Sequence, residues 1–414
     1  MAKLCIALVG LPGMGKSTVA SKLYDGLAEE GIKVEIFNNG DLRRARLGPA
    51  SSEPEFYNPE NKEAQALRDD LARTNMRSMR DFFAAGGKVA VFDATNVSRG
   101  RREELQAFFP DIPVLFVGCQ NDDPELLAAS IARKARLPEF NGLSSQQAMR
   151  SFAERIEYYK RIFVPLGAEG RYLVLDTLHN RILKEAVGNI VPYYNRVRDI
   201  LVSDWVRGLY LARHGQSEDN IHDRIGGDAP LTPRGREQAL AMGEHFADRR
   251  IPYIFTSTLR RTIETAAPVA ARQEDCRHIV IPEFNEIEAG ECDGMTYEEI
   301  RQTRPLEYAL RAKDKYGFIY PGGEGYVTLK ERVDKGLKKA LFLSGNLPDI
   351  VIVGHQAVNR MILSHFLYRR MEDVPYIYIP QDQYFRVVST QRRKVFELVR
   401  FTDKNGNGEG GLAG

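Results

Sequence analysis

The four cysteines of this 414-residue chain, Cys5, Cys119, Cys276 and Cys292, are scattered, and no two form a C-x-x-C pair. That spacing excludes the usual zinc-binding patterns and offers no disulfide framework. The thiols are therefore expected to be reduced, as in the cytoplasm. No apolar run approaches the roughly 18 residues of a membrane span, so no membrane partner is expected. The opening MAKLCIALVG has the apolar character of a short signal sequence, but it passes straight into a glycine loop and reads as a buried first strand. Net charge is only +2, which removes the general electrostatic case for a nucleic-acid partner. No segment repeats at a period of about 20 to 50 residues, which excludes a solenoid or propeller. What remains is an ordinary globular composition, 43% hydrophobic and 28% charged, on a chain long enough for more than one core.

Strand-like and helix-like segments alternate along the first half, the pattern of a parallel sheet covered by helices. KLCIALVG, KVEIFN, KVAVFDATN, VLFVG and YLVLD read as strands, and STVASKLYDGLAEE as a helix ending at Gly31. HNRILKEAVGNIVPYYNRVRD reads as mostly helical, and the domain boundary falls within it, near residues 195–205. A second half restarts at GLYLARHG. LTPRGREQALAMGEHFADRR predicts a helix with Thr232 as N-cap and Pro233 at its first position. YIFTS, DIVIVGHQ, YFRVVST and KVFELVRF supply further strands. The expected architecture is two α/β domains in series, 1–195 and 206–400, with a glycine-rich, disordered tail over 401–414.

The first half carries GLPGMGKS, from Gly10 to Ser17, between a strand and a helix. This is the G-x-x-x-x-G-K-[ST] loop in its proper context. Its glycines let backbone N–H groups wrap a polyphosphate, and the helix N-terminus adds favourable potential. Gly10, Gly13, Gly15, Lys16, Ser17 and Thr18 form the expected nucleotide-binding set. Lys16 would reach the outer phosphates, and the Ser17 hydroxyl would ligate magnesium. Asp93, ending the strand VAVFD, would share the magnesium or accept a proton from the attacking hydroxyl. ATP and Mg2+ are thus the expected cofactors. Cations suited to an anionic acceptor are Arg43, Arg44, Arg68, Arg101, Lys134 and Arg155. Spacing alone does not choose among them.

The second half raises a different question, in RHGQSEDN. Arg213 stands directly before His214, an arrangement that disfavours protonation of the ring. A histidine accepts a phosphoryl group only through a neutral ring nitrogen, and the neighbouring arginine also binds phosphoryl oxygens. Both residues follow an apolar strand, where open α/β sheets bind ligands. His355 in VIVGHQ ends another such strand, and Arg261 in LRRTIETA adds a cation. Glu286, in FNEIEAGE, is the candidate general acid for a leaving alkoxide.

Taken together these motifs resemble the bifunctional 6-phosphofructo-2-kinase/fructose-2,6-bisphosphatase family, over about residues 3 to 400. GLPGMGKS, FNNGDLRR, VAVFDATN and RIEYY are similar to its P-loop kinase half. RHGQSEDN, RIGGD, TIETA, NEIEAGECDGMTYEEI, DKYGFIYPGGEGY and GHQAVNR are similar to its histidine phosphatase half, a phosphoglycerate mutase-like fold. The resemblance implies that Arg44, Arg68, Thr95, Arg101, Arg155 and Tyr159 hold fructose 6-phosphate, and that Lys134 lies near the transferring phosphate. It implies that His214 becomes phosphorylated with Arg213, Arg261 and His355 around the phosphate, and that Glu286 is the proton donor. Asn220, Gly226, Tyr297, Arg311, Lys315, Tyr326, Gln356 and Arg360 match residues that hold the bisphosphorylated sugar.

The chain departs from the family pattern at Asn121, where a cysteine is usual and Cys119 stands two residues earlier, and at Ser130 and Leu137. These positions bear on kinase rate and nucleotide affinity more than on reaction class. The long terminal extensions that carry regulatory phosphosites in some members are absent, so regulation of that kind is not expected. Competing readings are a one-sided bisphosphatase with a nucleotide-sensing first domain, and a polynucleotide end-processing enzyme. The second would require a basic, aromatic-lined groove that the sequence does not display. A homo-oligomer is left open.

Overall fold

The computed structural model describes residues 2–401 apart from 137, 141, 142, 189, 190, 346 and 368. The chain divides into two compact units, Met1–Trp205 and Val206–Gly414.

In the first unit the strands are β1 (Leu4–Val9), β2 (Val34–Asn38), β3 (Val89–Asp93), β4 (Val114–Gln120), β5 (Arg171–Asp176) and β6 (Arg181–Val187). Its helices are α1 (Lys16–Glu29), α2 (Asn39–Leu47), α3 (Lys62–Ala84), α4 (Arg99–Phe108), α5 (Pro124–Lys134), α6 (Ser145–Arg161) and α7 (Tyr194–Val202). The sheet order is β2-β3-β1-β4-β5-β6. All neighbours pair parallel except β5 and β6. Every residue of β1 is buried, as a central strand covered on both faces requires. Its alternate residues divide between two cores. Leu4, Ile6 and Leu8 pack with α1 and α7 residues such as Leu23 and Ile200, whereas Cys5, Ala7 and Val9 pack with Met76, Met79 and Leu105 of α3 and α4.

One expectation is corrected here. RILKEAV is not helical but the antiparallel edge strand β6, entered through a turn in which Asn180 takes a left-handed φ of 49°. An edge strand leaves one side to water, and its charged residues Arg181, Lys184 and Glu185 are exposed. Only the later part of that segment, from Tyr194, is helix.

The second unit contains β7 (Val206–Arg213), β8 (Tyr253–Thr256), β9 (Arg277–Val280), β10 (Ile350–Gly354), β11 (Gln383–Ser389) and β12 (Lys394–Arg400). Its helices are α8 (Glu218–Ile221), α9 (Pro233–His245), α10 (Arg260–Ala270), α11 (Tyr297–Thr303), α12 (Pro305–Lys313), α13 (Tyr326–Ser344) and α14 (Gln356–Phe366). The sheet order is β12-β11-β7-β10-β8-β9. β7, β10, β8 and β9 run parallel, and β11 and β12 close the sheet antiparallel. Helix α9 begins as expected, with the Thr232 hydroxyl accepting from the Gly235 amide at 3.0 Å and Pro233 in the first turn. It ends at His245, short of the predicted run. Phe401, assigned to the tail from sequence, is instead buried and stacks on Tyr384 with ring centroids 5.7 Å apart. Residues 402–414, and Leu137 in the first unit, lie outside the described residues. Among the described residues no helix is long and apolar enough to cross a membrane.

Candidate functional site

Each unit gathers its candidate residues at the carboxyl ends of its parallel strands. In the first unit the loop between β1 and α1 takes left-handed backbone at Gly10, Gly13 and Gly15, with φ of 153°, 87° and 76°. A Cβ on Gly10 would stand 2.6 Å from the Cys119 carbonyl oxygen at the end of β4, so only glycine lets the loop lie this close to the sheet. Lys16 turns back into the loop, donating to the carbonyls of Gly10 at 2.9 Å and Leu11 at 2.7 Å. Burial pushes its ammonium down to about 8, opposed by Asp93. Asp93 is itself buried, and burial raises its carboxyl above the usual range while Lys16 and a hydrogen bond from Ser17 act the other way.

The parallel register places Asn38 beside Asp93, and the Asn38 amide donates to Asp93 Oδ2 at 2.6 Å. Sequence reasoning missed Asn38, although it ends a strand just as Asp93 does. Lys134, at the end of α5, is pushed down chiefly by burial and faces the same cavity.

That cavity is also lined by Gly13, Gly15, Ser17, Thr18, Arg44, Arg68, Thr95, Arg101, Arg155 and Tyr159. The structure thus brings together the expected acceptor residues and the phosphate loop. Gly10 contributes from below, its amide donating to the Thr95 carbonyl at 3.0 Å. The cations are not all free. Arg68 donates to the Phe56 carbonyl, and Arg101 pairs with Asp69. Glu139, which sequence reasoning did not single out, meets Arg43 at 2.5 Å, Arg44 at 3.0 Å and Arg155 at 3.9 Å. Arg43 is almost wholly buried by this pairing and by Ser52, which makes it a support for its neighbours more than a free ligand. Arg155 lies over the Tyr57 ring at 4.0 Å, and burial lowers its guanidinium from the ordinary arginine range.

The residues present fit a magnesium–nucleotide pair. Ser17 and Asp93 are hydrogen-bonded oxygen donors at the mouth of a phosphate loop, and magnesium is commonly held by one or two such protein oxygens together with substrate phosphates. Ser130, a departure from the family pattern, stands beside the phosphate loop, its Cβ 3.8 Å from the point that a Cβ on Gly13 would take. The Asn121 Nδ2 and the Ser130 hydroxyl are buried without a hydrogen-bond partner.

In the second unit β7 and β10 are adjacent, with Arg213 opposite Gly354. The next residue of each strand is a histidine, so the register alone brings His214 and His355 together, ring centroids 5.1 Å apart at 58°. His214 Nδ1 lies 2.7 Å from the Gly215 carbonyl. His355 Nε2 lies 2.8 Å from Ser257 Oγ, and its Nδ1 is buried without a partner. Burial, together with Arg213 and Arg261, holds His214 well below the ordinary histidine range; burial, His214 and Arg261 do the same for His355. Arg261 is steadied by the Gly227 carbonyl at 2.6 Å. Glu286 accepts from the amides of Gln356 at 2.9 Å and Ala357 at 3.2 Å, at the start of α14.

Around this centre the cavity is lined by Asn220, Gly226, Tyr297, Arg311, Lys315, Tyr326, Gln356 and Arg360, as well as Arg213, His214, Arg261 and Glu286. Arg311 lies over the Tyr297 ring at 4.6 Å and donates to its hydroxyl at 2.8 Å. Arg360 donates to the Tyr326 hydroxyl at 3.0 Å. Burial and the cations Arg360 and Arg311 push Lys315 down to about 8. Two groups of cations, Arg213 with Arg261 and Arg311 with Lys315, therefore stand in one cavity. Among the described residues, no group of three or more His, Cys, Asp or Glu side chains gathers as a metal site in either unit.

Comparison with known proteins agrees with both halves. The 6-phosphofructo-2-kinase family profile matches residues 1–202, and the histidine phosphatase superfamily (branch 1) matches residues 209–403. The human protein 6-phosphofructo-2-kinase/fructose-2,6-bisphosphatase 3 is 35% identical over 391 residues, covering 91% of this chain and 72% of its own length. The Gallus gallus 6-phosphofructo-2-kinase/fructose-2,6-bisphosphatase is 35% identical over 387 residues, covering 91% of this chain and 80% of its own. Among solved structures, the alpha-ribazole phosphatase of Shigella flexneri aligns over 47% of this chain and 96% of its own, at 25% identity and a TM-score of 0.43. With relatives matched across both units at this identity, the chain belongs to the bifunctional 6-phosphofructo-2-kinase/fructose-2,6-bisphosphatase family.

Proposed function

We propose that the first unit makes fructose 2,6-bisphosphate from ATP and fructose 6-phosphate, and that the second hydrolyses it back to fructose 6-phosphate and inorganic phosphate. The observation that carries this reading is the pair of buried histidines at the ends of β7 and β10, flanked by Arg213 and Arg261, on a chain that also holds a phosphate-loop donor site.

In the kinase, Gly13, Gly15, Lys16, Ser17 and Thr18 bind the nucleotide phosphates, while Gly10, its amide bonded to the Thr95 carbonyl, shapes the loop that carries them. Ser17 and Asp93 would hold magnesium, which would supply positive charge to offset that of the phosphates. Arg44, Arg68, Arg101 and Arg155, with Thr95 and Tyr159, hold the sugar phosphate and orient its 2-hydroxyl. Asp93, which ends β3 in the same cavity, is the carboxylate placed either to share the magnesium or to accept that hydroxyl's proton. Lys16 and Lys134 stabilise negative charge on the transferring group.

In the phosphatase, a carbonyl only accepts, so His214 Nδ1 carries the proton that faces Gly215 and Nε2 keeps its lone pair. Nε2 attacks the 2-phosphoryl phosphorus, and the bond from phosphorus to the sugar oxygen breaks. Glu286 gives that oxygen a proton. The resulting carboxylate then takes a proton from water, which attacks the phosphohistidine and releases phosphate. Arg213, Arg261 and His355 hold the phosphoryl oxygens, with the unpartnered His355 Nδ1 as a donor when Nε2 accepts from Ser257. Asn220, Gly226, Tyr297, Arg311, Lys315, Tyr326, Gln356 and Arg360 bind the remainder of the bisphosphate. ATP, sugar phosphates and no nucleic acid are the partners this reading requires, in the cytoplasm.

Fructose 2,6-bisphosphate labelled at its 2-phosphate tests this reading. A rapid quench in alkali is expected to leave acid-labile label on the wild-type chain and none on His214→Ala. Equal labelling of both would contradict it.

A further inference from the structure

Three cations of the second cavity are held by one short run of backbone. Lys315 Nζ donates to the Pro375 carbonyl at 3.2 Å, and Arg360 Nε to the Ile377 carbonyl at 2.8 Å. Arg213 Nη1 reaches the Ile379 carbonyl at 3.4 Å. The next alternate residue, Gln381, donates from its side chain to Asn220 Oδ1 at 2.9 Å. Four site residues therefore meet positions 375, 377, 379 and 381.

The local structure explains the alternation. Residues Met371–Tyr376 form a 3-10 turn whose last hydrogen bond is donated by the Ile377 amide to the Val374 carbonyl, leaving the Pro375 carbonyl outside the helical ladder. Beyond it Ile377 is extended, at φ −60° and ψ 126°, and in an extended chain alternate residues face the same way. Ile379 is buried and anchors the run, whereas Tyr376 and Tyr378 are 66% and 69% exposed.

The chemistry of the acceptors matters. A carboxylate partner, such as Glu139 in the first unit, orients an arginine but also cancels part of its charge. A backbone carbonyl orients the cation through a directed hydrogen bond and leaves the full positive charge for a phosphate. Because the three carbonyls lie on one covalent run, they also fix the spacing between Arg213, beside His214, and Lys315, beside Arg311.

We propose that Pro375–Gln381 is a specificity-determining strap, whose backbone carbonyls position Lys315 and Arg360 for the second phosphate of a doubly phosphorylated sugar. This rests on the bisphosphatase reading above. The strap's residues are positioning elements, since they act through the cations they hold.

Replacing Tyr376 or Tyr378 by its α-hydroxy acid turns the Pro375 or Ile377 carbonyl into an ester carbonyl, a weaker acceptor, with the side chain unchanged. Each ester variant is expected to raise KM for fructose 2,6-bisphosphate about threefold or more. kcat, and turnover of p-nitrophenyl phosphate, which has one phosphate, should stay within about twofold. Tyr376→Phe and Tyr378→Phe should leave KM for the bisphosphate within the same twofold. An unchanged KM in ester variants that still turn over p-nitrophenyl phosphate overturns the proposal. So does a parallel loss of both activities, which would make the strap a structural element only. Wild-type protein that hydrolyses p-nitrophenyl phosphate but not the bisphosphate would instead overturn the underlying reading.

Discussion

Nδ1 of His214 lies 2.7 Å from the carbonyl oxygen of Gly215, the residue that follows it. The contact fixes one ring nitrogen as a donor and leaves the other as a nucleophile, and burial keeps the ring neutral. Both this ring and that of His355 have folded-state pKa values below the ordinary 6.5. In the unfolded chain each would bind a proton below about pH 6.5. The stability of the second unit is therefore fully present above that pH and declines as pH falls further, since only the unfolded state takes up protons. Denaturation midpoints measured at about pH 7 and about pH 5 should show this loss, and His214→Gln with His355→Gln should reduce it. Equal acid sensitivity in the double variant would contradict the assignment.

Glu139 gathers three guanidinium groups, and Arg43 among them is nearly wholly buried. Removing the carboxylate leaves buried cations without a counter-charge, a loss typically of about 3 kcal/mol. For a unit of this size Glu139→Ala should lower the melting temperature by roughly 6 to 12 °C. Calorimetry resolving the first unit's transition checks it, and a shift confined to a degree or so would show that the cluster is not held by this residue.

Arg155 lies half-buried over Tyr57 and borders the cavity beside Tyr159. A charge-assisted bond to the acceptor's phosphate is commonly worth about 1.5 to 3 kcal/mol, or roughly ten- to a hundredfold. Arg155→Ala is thus expected to raise KM for fructose 6-phosphate by at least about tenfold while KM for ATP stays within about threefold. Initial-rate kinetics at saturating co-substrate separate the two. Equal changes in both constants would move Arg155 out of the acceptor site.

Much of this site could be read before the fold was known, and the exceptions have physical causes. A glycine loop between strand and helix, and histidines ending apolar strands, are local patterns tied to one architecture, so Lys16, Asp93, His214 and His355 were legible. Glu139 is a single glutamate in a short turn, and nothing nearby in sequence distinguishes it from a solvated surface residue. β6 reads as helix from sequence because Lys184 and Glu185, tolerated by water at a sheet edge, interrupt the alternation that would mark a strand, although Ile182 and Val187 still pack on the core. The strap's hold on Lys315, Arg360 and Arg213 left no signature because it is made by backbone carbonyls, which every residue has.

Lys315 is pushed down to about 8 by burial and by Arg360 and Arg311. Its charge, and with it the affinity for a second phosphate, should be present below that pH and fade as pH rises through it. KM for fructose 2,6-bisphosphate is expected to climb between about pH 7 and about pH 9, and less steeply in Lys315→Met. A wild-type KM that does not change over that range would show that Lys315 does not bind the ligand.

The central claim is that one chain both makes and removes the same bisphosphate. The most direct measurement uses His214→Ala, in which any kinase product survives, incubated with magnesium, ATP and fructose 6-phosphate and followed by phosphorus NMR. The account predicts a new phosphate resonance from the 2-position of the sugar, erased when wild-type protein is added. Absence of that product, with wild type still hydrolysing authentic fructose 2,6-bisphosphate, would contradict it and leave a phosphatase joined to a nucleotide-binding unit.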